Sequence, residues 1–368
     1  MENSLLYLIA LTMIPSIGAV TARKLISYLG SPEAIFREKK NILMKIPGIG
    51  EVLSTRPLTG SYIKQAEKEM TYCERKGIRI LDFQREDFPR RLKQCSDSPL
   101  ILYMLGDQDL NPVRILSIVG TRKATHEGIV NVNNLVRNLG EFYPGTQVVS
   151  GLAYGIDYNA HLAALKYNLP TIAVLGHGLH TIYPAQHKNI ARKILNEGCL
   201  LTEFPSDMNP ERNNFIKRNR LIAGLSDATI VVESGFKGGA LITADIASSY
   251  HRDVFAFPGR TSDELSKGCN RLIKDNRAAL IEGLEDLEYF MNWHRENDIL
   301  PPRQKLLFVE LTEEEEKVVE AIREAENISR DSLSLKLKIP HQLLSAVLLN
   351  LEFEGVISVL PGNFYRLN

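Results

Sequence analysis

Cysteine is scarce and unpatterned in this chain. Cys73, Cys95, Cys199 and Cys269 are scattered over 368 residues with no C-x-x-C spacing. That argues against a zinc site and against a disulfide framework, and leads us to expect reduced thiols in a cytoplasmic protein. No run of about 18 apolar residues occurs, which excludes a helix spanning a membrane. Met1-Glu2-Asn3-Ser4 has neither the positive charge nor the cleavage site of a secretory signal. Net charge is missing too: 44 basic residues cancel 44 acidic ones, so any pull on a polyanion must come from a local patch. The dinucleotide fingerprint G-x-G-x-x-G and the phosphate loop G-x-x-x-x-G-K-[ST] are both absent, which argues against hydride transfer and ATP hydrolysis. No G-x-S-x-G elbow is present, and His177, His180 and His187 do not have the spacing of a helical metal motif. We expect no cofactor, no metal and no catalytic residue.

Hydrophobic content of 44% and charged content of 24% are those of a globular protein, and the length suggests two or three domains. The middle of the chain alternates short apolar runs with helical patterns. Strands are expected at Ile115–Val119, Gln147–Val149, Thr171–Leu175, Cys199–Thr202, Thr229–Glu233, Val254–Phe257 and Ala278–Ile281. Continuous apolar runs rich in β-branched residues belong to a parallel sheet covered on both faces. Val132, Leu135, Val136 and Leu139 repeat at helical spacing between the first two strands. This is βαβ alternation, hence an α/β fold with a Rossmann-like, doubly wound, mostly parallel sheet.

Ligands of such sheets bind beyond the carboxyl ends of the strands, where the unusual loops of this chain fall. They are Gly120-Thr121-Arg122-Lys123, Ser150-Gly151 leading to Asp157, Gly176-His177-Gly178, Asn214-Phe215-Ile216-Lys217-Arg218-Asn219-Arg220, Gly235-Phe236-Lys237-Gly238-Gly239-Ala240 and Pro258-Gly259. Glycines let backbone N–H groups approach phosphates, and the cations neutralise them. The Asn214–Arg220 segment adds a ring on which a base can stack, the mixture that single-stranded nucleic acid needs. The reading is an extended polyanion site: Arg122, Lys123, Lys217, Arg218, Arg220 and Lys237 on phosphates, Phe215 under a base.

Catalytic constellations are thin. Asp157 and His161 stand at i, i+4 but read better as a first-turn carboxylate and a packed histidine. Glu203 and Glu233, just past strand ends, are the other carboxylates to test, and either could order the basic residues around it. Glycine loops also serve Rossmann enzymes that act on nucleoside monophosphates, so a phosphoribohydrolase-like activity is the alternative function. A pure adaptor using its helical ends is a third.

Residues 1–70 read as a helical module with an internal repeat, Ile14-Pro15-Ser16-Ile17-Gly18 returning as Ile46-Pro47-Gly48-Ile49-Gly50. A Gly-tipped hairpin opening a helix, with Val20, Leu25, Ile26 and Leu29 at helical spacing, is a helix-hairpin-helix (SAM-like) arrangement. Such helix starts can grip a phosphate, yet many only pack, and Thr55-Arg56-Pro57 interrupts the second copy. A packing or accessory role is favoured. The sheet domain is placed at 78–292 and a linker, including Leu300-Pro301-Pro302-Arg303, at 293–311. Residues 312–368 have winged-helix order, opening on the capping signal Thr312-Glu313-Glu314-Glu315. Its third helix, from His341 to Glu354, has no Lys or Arg, and Glu310–Glu326 holds eight Glu against Lys317 and Arg323. A protein-contact or autoregulatory role is favoured there over sequence-specific DNA binding.

The runs SIVGTRKATHEG, SGLAYGIDYNAH, LGHGLHTIYP, LLTEFP, NFIKRNRLIAGLS, VVESGFKGGALITA, VFAFPGR and GCNRLI, in this order, resemble the bacterial DNA-processing protein A (Smf) family. The resemblance spans the sheet domain almost end to end and implies a protein that binds single-stranded DNA, dimerises and loads the RecA recombinase during natural transformation. It maps the G-[ST]-R loop to Gly120, Thr121 and Arg122, and the N-F-x-x-R-N-R segment to Asn214, Phe215, Arg218, Asn219 and Arg220. The Lys-Gly-Gly loop falls on Lys237, Gly238 and Gly239. It also suggests a subunit contact within Arg271–Phe290. Tyr154 in SGLAxGID, and Lys-Gly-Gly-Ala where Lys-Ser-Gly-Ser is frequent, depart from the family pattern.

Overall fold

The computed structural model describes residues 2–15, 17–48, 60–295, 311–325, 328–353, 356–360 and 364–367. Ser16, Ile49, Gly50, the Thr55-Arg56-Pro57 breaker and the Leu300–Arg303 linker lie outside them. The chain forms two compact units, Met1–Trp293 and His294–Asn368.

Nine strands make the sheet of the first unit: β1 (Arg79–Asp82), β2 (Ile101–Gly106), β3 (Ile115–Val119), β4 (Gln147–Ser150), β5 (Thr171–Val174), β6 (Gly198–Thr202), β7 (Ala228–Val231), β8 (Asp253–Ala256) and β9 (Ala279–Leu280). Their order is β1-β2-β6-β5-β4-β3-β7-β8-β9. From β6 to β9 every pairing is parallel. β1 and β2 extend the edge antiparallel, Tyr103 opposite Thr202. The seven parallel strands match the sequence expectation. Of the two antiparallel ones, Arg79-Ile80-Leu81-Asp82 is short and polar, whereas Ile101–Gly106 is an apolar run that the sequence reading passed over.

Alternation along each strand feeds two cores. Ile115, Val119, Val149 and Val231 face the helices Arg212–Leu225 and Gly239–Ser249. Leu116, Ile118, Val148 and Ile230 face the helices His126–Phe142 and Ile156–Lys166. Both faces being covered is why the strands read as unbroken apolar runs.

Helices Glu2–Thr12, Ala19–Leu29, Pro32–Arg37, Lys40–Leu43 and Gly60–Lys76 form the N-terminal module. Its core of Ile9, Leu11, Leu25 and Ile35 continues into Ile101 and Tyr103 of β2. Glu69 locks the module to the sheet body, its carboxylate accepting Ser206 N–H at 2.8 Å and Ser206 Oγ–H at 2.6 Å. In the Ala19–Leu29 helix Leu25 is buried as the spacing implies, but Val20 is 58% exposed. It sits in the first turn, beyond the reach of the module's core.

The second unit holds helices Glu313–Ala325, Arg330–Leu337 and His341–Phe353 and strands β10 (Ile328–Ser329), β11 (Ile357–Leu360) and β12 (Phe364–Leu367), ordered β10-β12-β11. Thr312 and Glu315 form the expected capping box: Thr312 N–H reaches Glu315 Oε2 at 2.9 Å, and Glu315 N–H reaches Thr312 Oγ1 at 3.4 Å.

Candidate nucleic-acid interface

The crossovers part at β3, which pairs with β4 on one side and β7 on the other, so the loops after β3 and β7 meet at the switch point of the sheet. Thr121 N–H donates to the Glu233 carbonyl at 2.7 Å, and Ile156 N–H donates to the Thr121 carbonyl at 3.1 Å. Gly155 has φ of 76°, and a Cβ there would lie 2.2 Å from the Thr121 oxygen. Only glycine permits that crossing of the two loops. The Glu233 carboxylate accepts Thr125 N–H at 2.9 Å and also the Thr125 hydroxyl. Thr125 in turn caps the His126–Phe142 helix through Gly128 N–H at 3.1 Å. A loop tied at Thr121 and Thr125 leaves Arg122 and Lys123 between the ties, both exposed.

The Asn214–Arg220 segment is helical, and the helix sorts its residues by direction. Lys217 points to solvent, and Asn219 is half-buried. Arg218 is 4% exposed and donates through Nη1 to the Gly151 carbonyl at 2.6 Å and to the Val174 carbonyl. A Cβ on Gly151 would stand 2.4 Å from that nitrogen. Burial lowers the Arg218 pKa to about 10 while the nearby Asp157 charge supports the cation. Asp157 accepts Gly151 N–H at 3.2 Å and Ala153 N–H at 3.4 Å, and burial raises its pKa. Arg218 and Asp157 therefore hold the loop after β4 from both sides. The expectation of a free Arg218 on the rim gives way to a buried clamp, because the helix rotates by about 100° per residue and turns it toward the strand ends while Lys217 faces out. Arg220 is also engaged, with the Glu203 carboxylate and with the Asp97 carbonyl at 2.7 Å. Ser150 is fully buried, and its hydroxyl donates to the Ile118 carbonyl at 2.6 Å. Asn214 is 6% exposed, and its Nδ2 has no partner among the described residues.

Phe215 is half-buried over Gly176, where a Cβ would come within 2.7 Å of its ring. Its ring lies 5.5 Å from that of Tyr183, which is 50% exposed, and the Arg218 guanidinium is 6.0 Å away. The β7 loop carries Lys237 into solvent, and Gly238 caps the Gly239–Ser249 helix. Beside it Phe236, 52% exposed, is covered by the Arg271 guanidinium at 4.6 Å. The Tyr183–Phe215 and Arg271–Phe236 pairings were beyond sequence reading, since nothing in the spacing joins their partners. The structure thus brings Gly120 to Lys123, Gly151, Phe215 and the Lys237 loop to one edge. It turns Ser150, Asn214, Arg218 and Arg220 inward.

The other candidates are committed to the fold. His161 is fully buried with Nδ1 at 2.7 Å from Thr171 Oγ1, and burial pushes its pKa down to about 3. His177 and His187 are buried, their Nδ1 atoms on the carbonyls of Gly178 and Leu152. No group of three His, Cys, Asp or Glu residues among the described ones could hold a metal ion.

In chain order the protein carries a helix-hairpin-helix module, a mostly parallel sheet with cations on its carboxyl edge and a winged helix. The chain belongs to the DNA recombination-mediator protein A family, whose pattern matches residues 79–292. Residues 8–56 match a SAM-like helix-hairpin-helix tandem and residues 306–363 the winged helix domain of that family. Protein Smf of Synechocystis is 30% identical over 392 residues, covering 98% of both chains. Protein Smf of Escherichia coli is 32% identical, covering 83% of this chain and 81% of its own. The structure of DNA processing protein A from Streptococcus pneumoniae superposes with a TM-score of 0.63 at 29% identity, over 78% of this chain and 98% of that one. That of the Helicobacter pylori protein, described for its single-stranded DNA binding mode, gives 0.53 at 29% identity, over 59% and 97%. The family role is DNA processing as a recombination mediator. Among the described residues no helix is long and apolar enough to cross a membrane.

Proposed function

We propose that this protein binds single-stranded DNA without sequence preference along the carboxyl edge of its sheet and helps load the RecA recombinase onto it. The observation that carries the reading is the clamped β3 loop. Glu233 and Gly155 fix a segment whose exposed side chains, Arg122 and Lys123, are in no ion pair among the described residues. Lys217 and Lys237 extend the charge along the edge, the glycine loops supply N–H donors, and Phe215 with Tyr183 gives bases a face to stack on. Backbone charge and ring faces carry no base code, hence the tolerance of sequence. Arg218, Asp157 and Glu233 build the site from beneath; Arg220 and Asn214 flank it. Action in natural transformation, a cytoplasmic location and a homodimer through the sheet domain complete the proposal. The reaction is binding, not turnover.

Anisotropy of a labelled oligothymidine, titrated with the wild type, Arg122→Ala and Phe215→Ala, tests it. Both substitutions should weaken binding, the second by about 1–3 kcal/mol if the ring stacks. Unchanged affinity in both would remove the edge as the site. Binding of a nucleoside monophosphate with turnover abolished in Glu233→Gln would instead establish the hydrolase.

A further inference from the structure

In the loop after β4 the fold sends Tyr154 outward while holding its neighbours in place. Arg218 donates to the Gly151 carbonyl at 2.6 Å, and Asp157 accepts the N–H groups of Gly151 and Ala153. His187 Nδ1 lies 2.8 Å from the Leu152 carbonyl, which accepts its proton. Gly155 is pressed against the β3 loop, where a Cβ on it would stand 2.7 Å from the Arg122 carbonyl carbon. Tyr154, 42% exposed, sits between these ties as Arg122 and Lys123 sit between theirs. Its ring is fixed as well. The hydroxyl donates to Gln186 Oε1 at 2.8 Å, and the ring meets the buried His187 imidazole at 4.8 Å between centroids, their planes 71° apart. A side chain held at both ends has little freedom left to lose when a ligand arrives.

Strand order tells where this ring lies. β5, β4 and β3 are consecutive in the sheet, each about 4.8 Å from the next. The β5 loop carries Gly176, against which Phe215 packs, and Tyr183, whose ring pairs with that of Phe215. The β3 loop carries Arg122 and Lys123. Tyr154, on the β4 loop, therefore falls between the ring pair and the cations. The Tyr183–His187 turn joins the two aromatic positions: His187 N–H donates to the Pro184 carbonyl at 3.0 Å, and its four steps span at most about 14 Å. Tyr183 rises from one end of that turn, and Tyr154 rests on Gln186 and His187 at the other. A tyrosine that merely pinned the turn to the β4 loop would be redundant, because His187 already makes that tie through Leu152.

We propose that Tyr154 is a second base platform, on which a nucleobase of the single strand stacks between the base at Phe215 and the phosphates at Arg122 and Lys123. The inference rests on the single-stranded DNA reading and extends it from one stacking position to two.

The test separates ring from backbone. Oligothymidine and an abasic sugar-phosphate oligomer of the same length are each titrated with the full-length wild type, Tyr154→Ala, Tyr154→Phe, Arg122→Ala and Phe215→Ala. Both oligomers offer phosphates, but only the first has bases to stack. Tyr154→Ala should weaken oligothymidine binding about 10-fold, within the range for one base on one ring, and leave the abasic oligomer unchanged. Tyr154→Phe keeps the ring and should keep most of the affinity. Arg122→Ala should weaken both oligomers, and Phe215→Ala the oligothymidine alone. An equal loss on both oligomers in Tyr154→Ala would mean that the residue acts through the shape of its loop. No loss on either would mean that it meets no base, and a Tyr154→Phe loss as large as that of Tyr154→Ala would make the hydroxyl the contact. Each of these overturns the inference while Arg122→Ala and Phe215→Ala still report on the edge. If those two variants change neither oligomer, the edge reading itself fails and the inference falls with it.

Discussion

Arg122 and Arg218 carry the same charge into opposite surroundings, and this separates their consequences. Arg122→Ala removes an exposed side chain, so stability should change by no more than about 0.5 kcal/mol while DNA affinity falls. Arg218→Ala strips two carbonyls of a buried charged donor and deprives Asp157 of its opposing charge. It should cost on the order of 3 kcal/mol in urea unfolding. Equal stabilities for the two variants would refute this division. His161 gives a pH signature. Thr171 Oγ1 donates to the Val148 carbonyl at 2.9 Å, so His161 Nδ1 must carry the proton toward it and Nε2 is bare. Its folded pKa is about 3 against an ordinary 6.5, so the fold binds fewer protons than the unfolded chain between those values. The stability it contributes is present above pH 6.5 and is lost as pH falls toward 3. Urea midpoints followed from pH 7 down to about 4 should fall less steeply in His161→Leu than in the wild type. Parallel slopes would show that His161 is not the sensor.

At the level of the element, the loops of the sheet edge are positioned by groups that never need to touch DNA. Glu233 is the sharpest case, because charge and position predict opposite signs. Deleting a carboxylate near a polyanion site should tighten binding if electrostatics alone counted. Glu233→Ala also unties Thr125 N–H and its hydroxyl, loosening the β3 loop and the cap of the following helix. We expect weaker DNA binding together with a stability loss of about 1–2 kcal/mol; tighter binding would show that the clamp does not matter. Gly155→Ala tests the other tie. With φ of 76° and the Thr121 oxygen in the way, it should lose more than about 1 kcal/mol, read as a lower denaturation midpoint.

For the molecule as a whole, net charge of zero means that affinity must arise from a local patch, which the proposed function puts at the sheet edge. If about four phosphates are neutralised, log affinity should fall with log salt at a slope near −3, measured by repeating the titration over several salt concentrations. A slope near zero would remove the electrostatic part of the reading. Arg122→Ala should shallow the slope by about 0.7, one phosphate's share. Arg218→Ala, acting through loop geometry, should weaken binding without a matching change in slope.

The parallel sheet, its helices and the winged helix were legible in the chain because burial on both faces imposes long apolar runs and 3.6-residue periods. Local chemistry at Thr312 and Glu315 likewise announced a helix start that the structure contains. β1 and β10 were not legible, since their few residues become strands only through partners elsewhere in the chain, while the apolar run of β2 was there to be read and was passed over. The same holds for the edge. Its cations and glycines could be placed after their strands from residue order alone. Which of them face solvent was decided by tertiary structure, since a single residue step of about 100° along the helix sends Lys217 outward and Arg218 onto the Gly151 and Val174 carbonyls. The tie between Glu69 and Ser206 is a product of folding in the fullest sense, because its partners come from modules that only packing brings together.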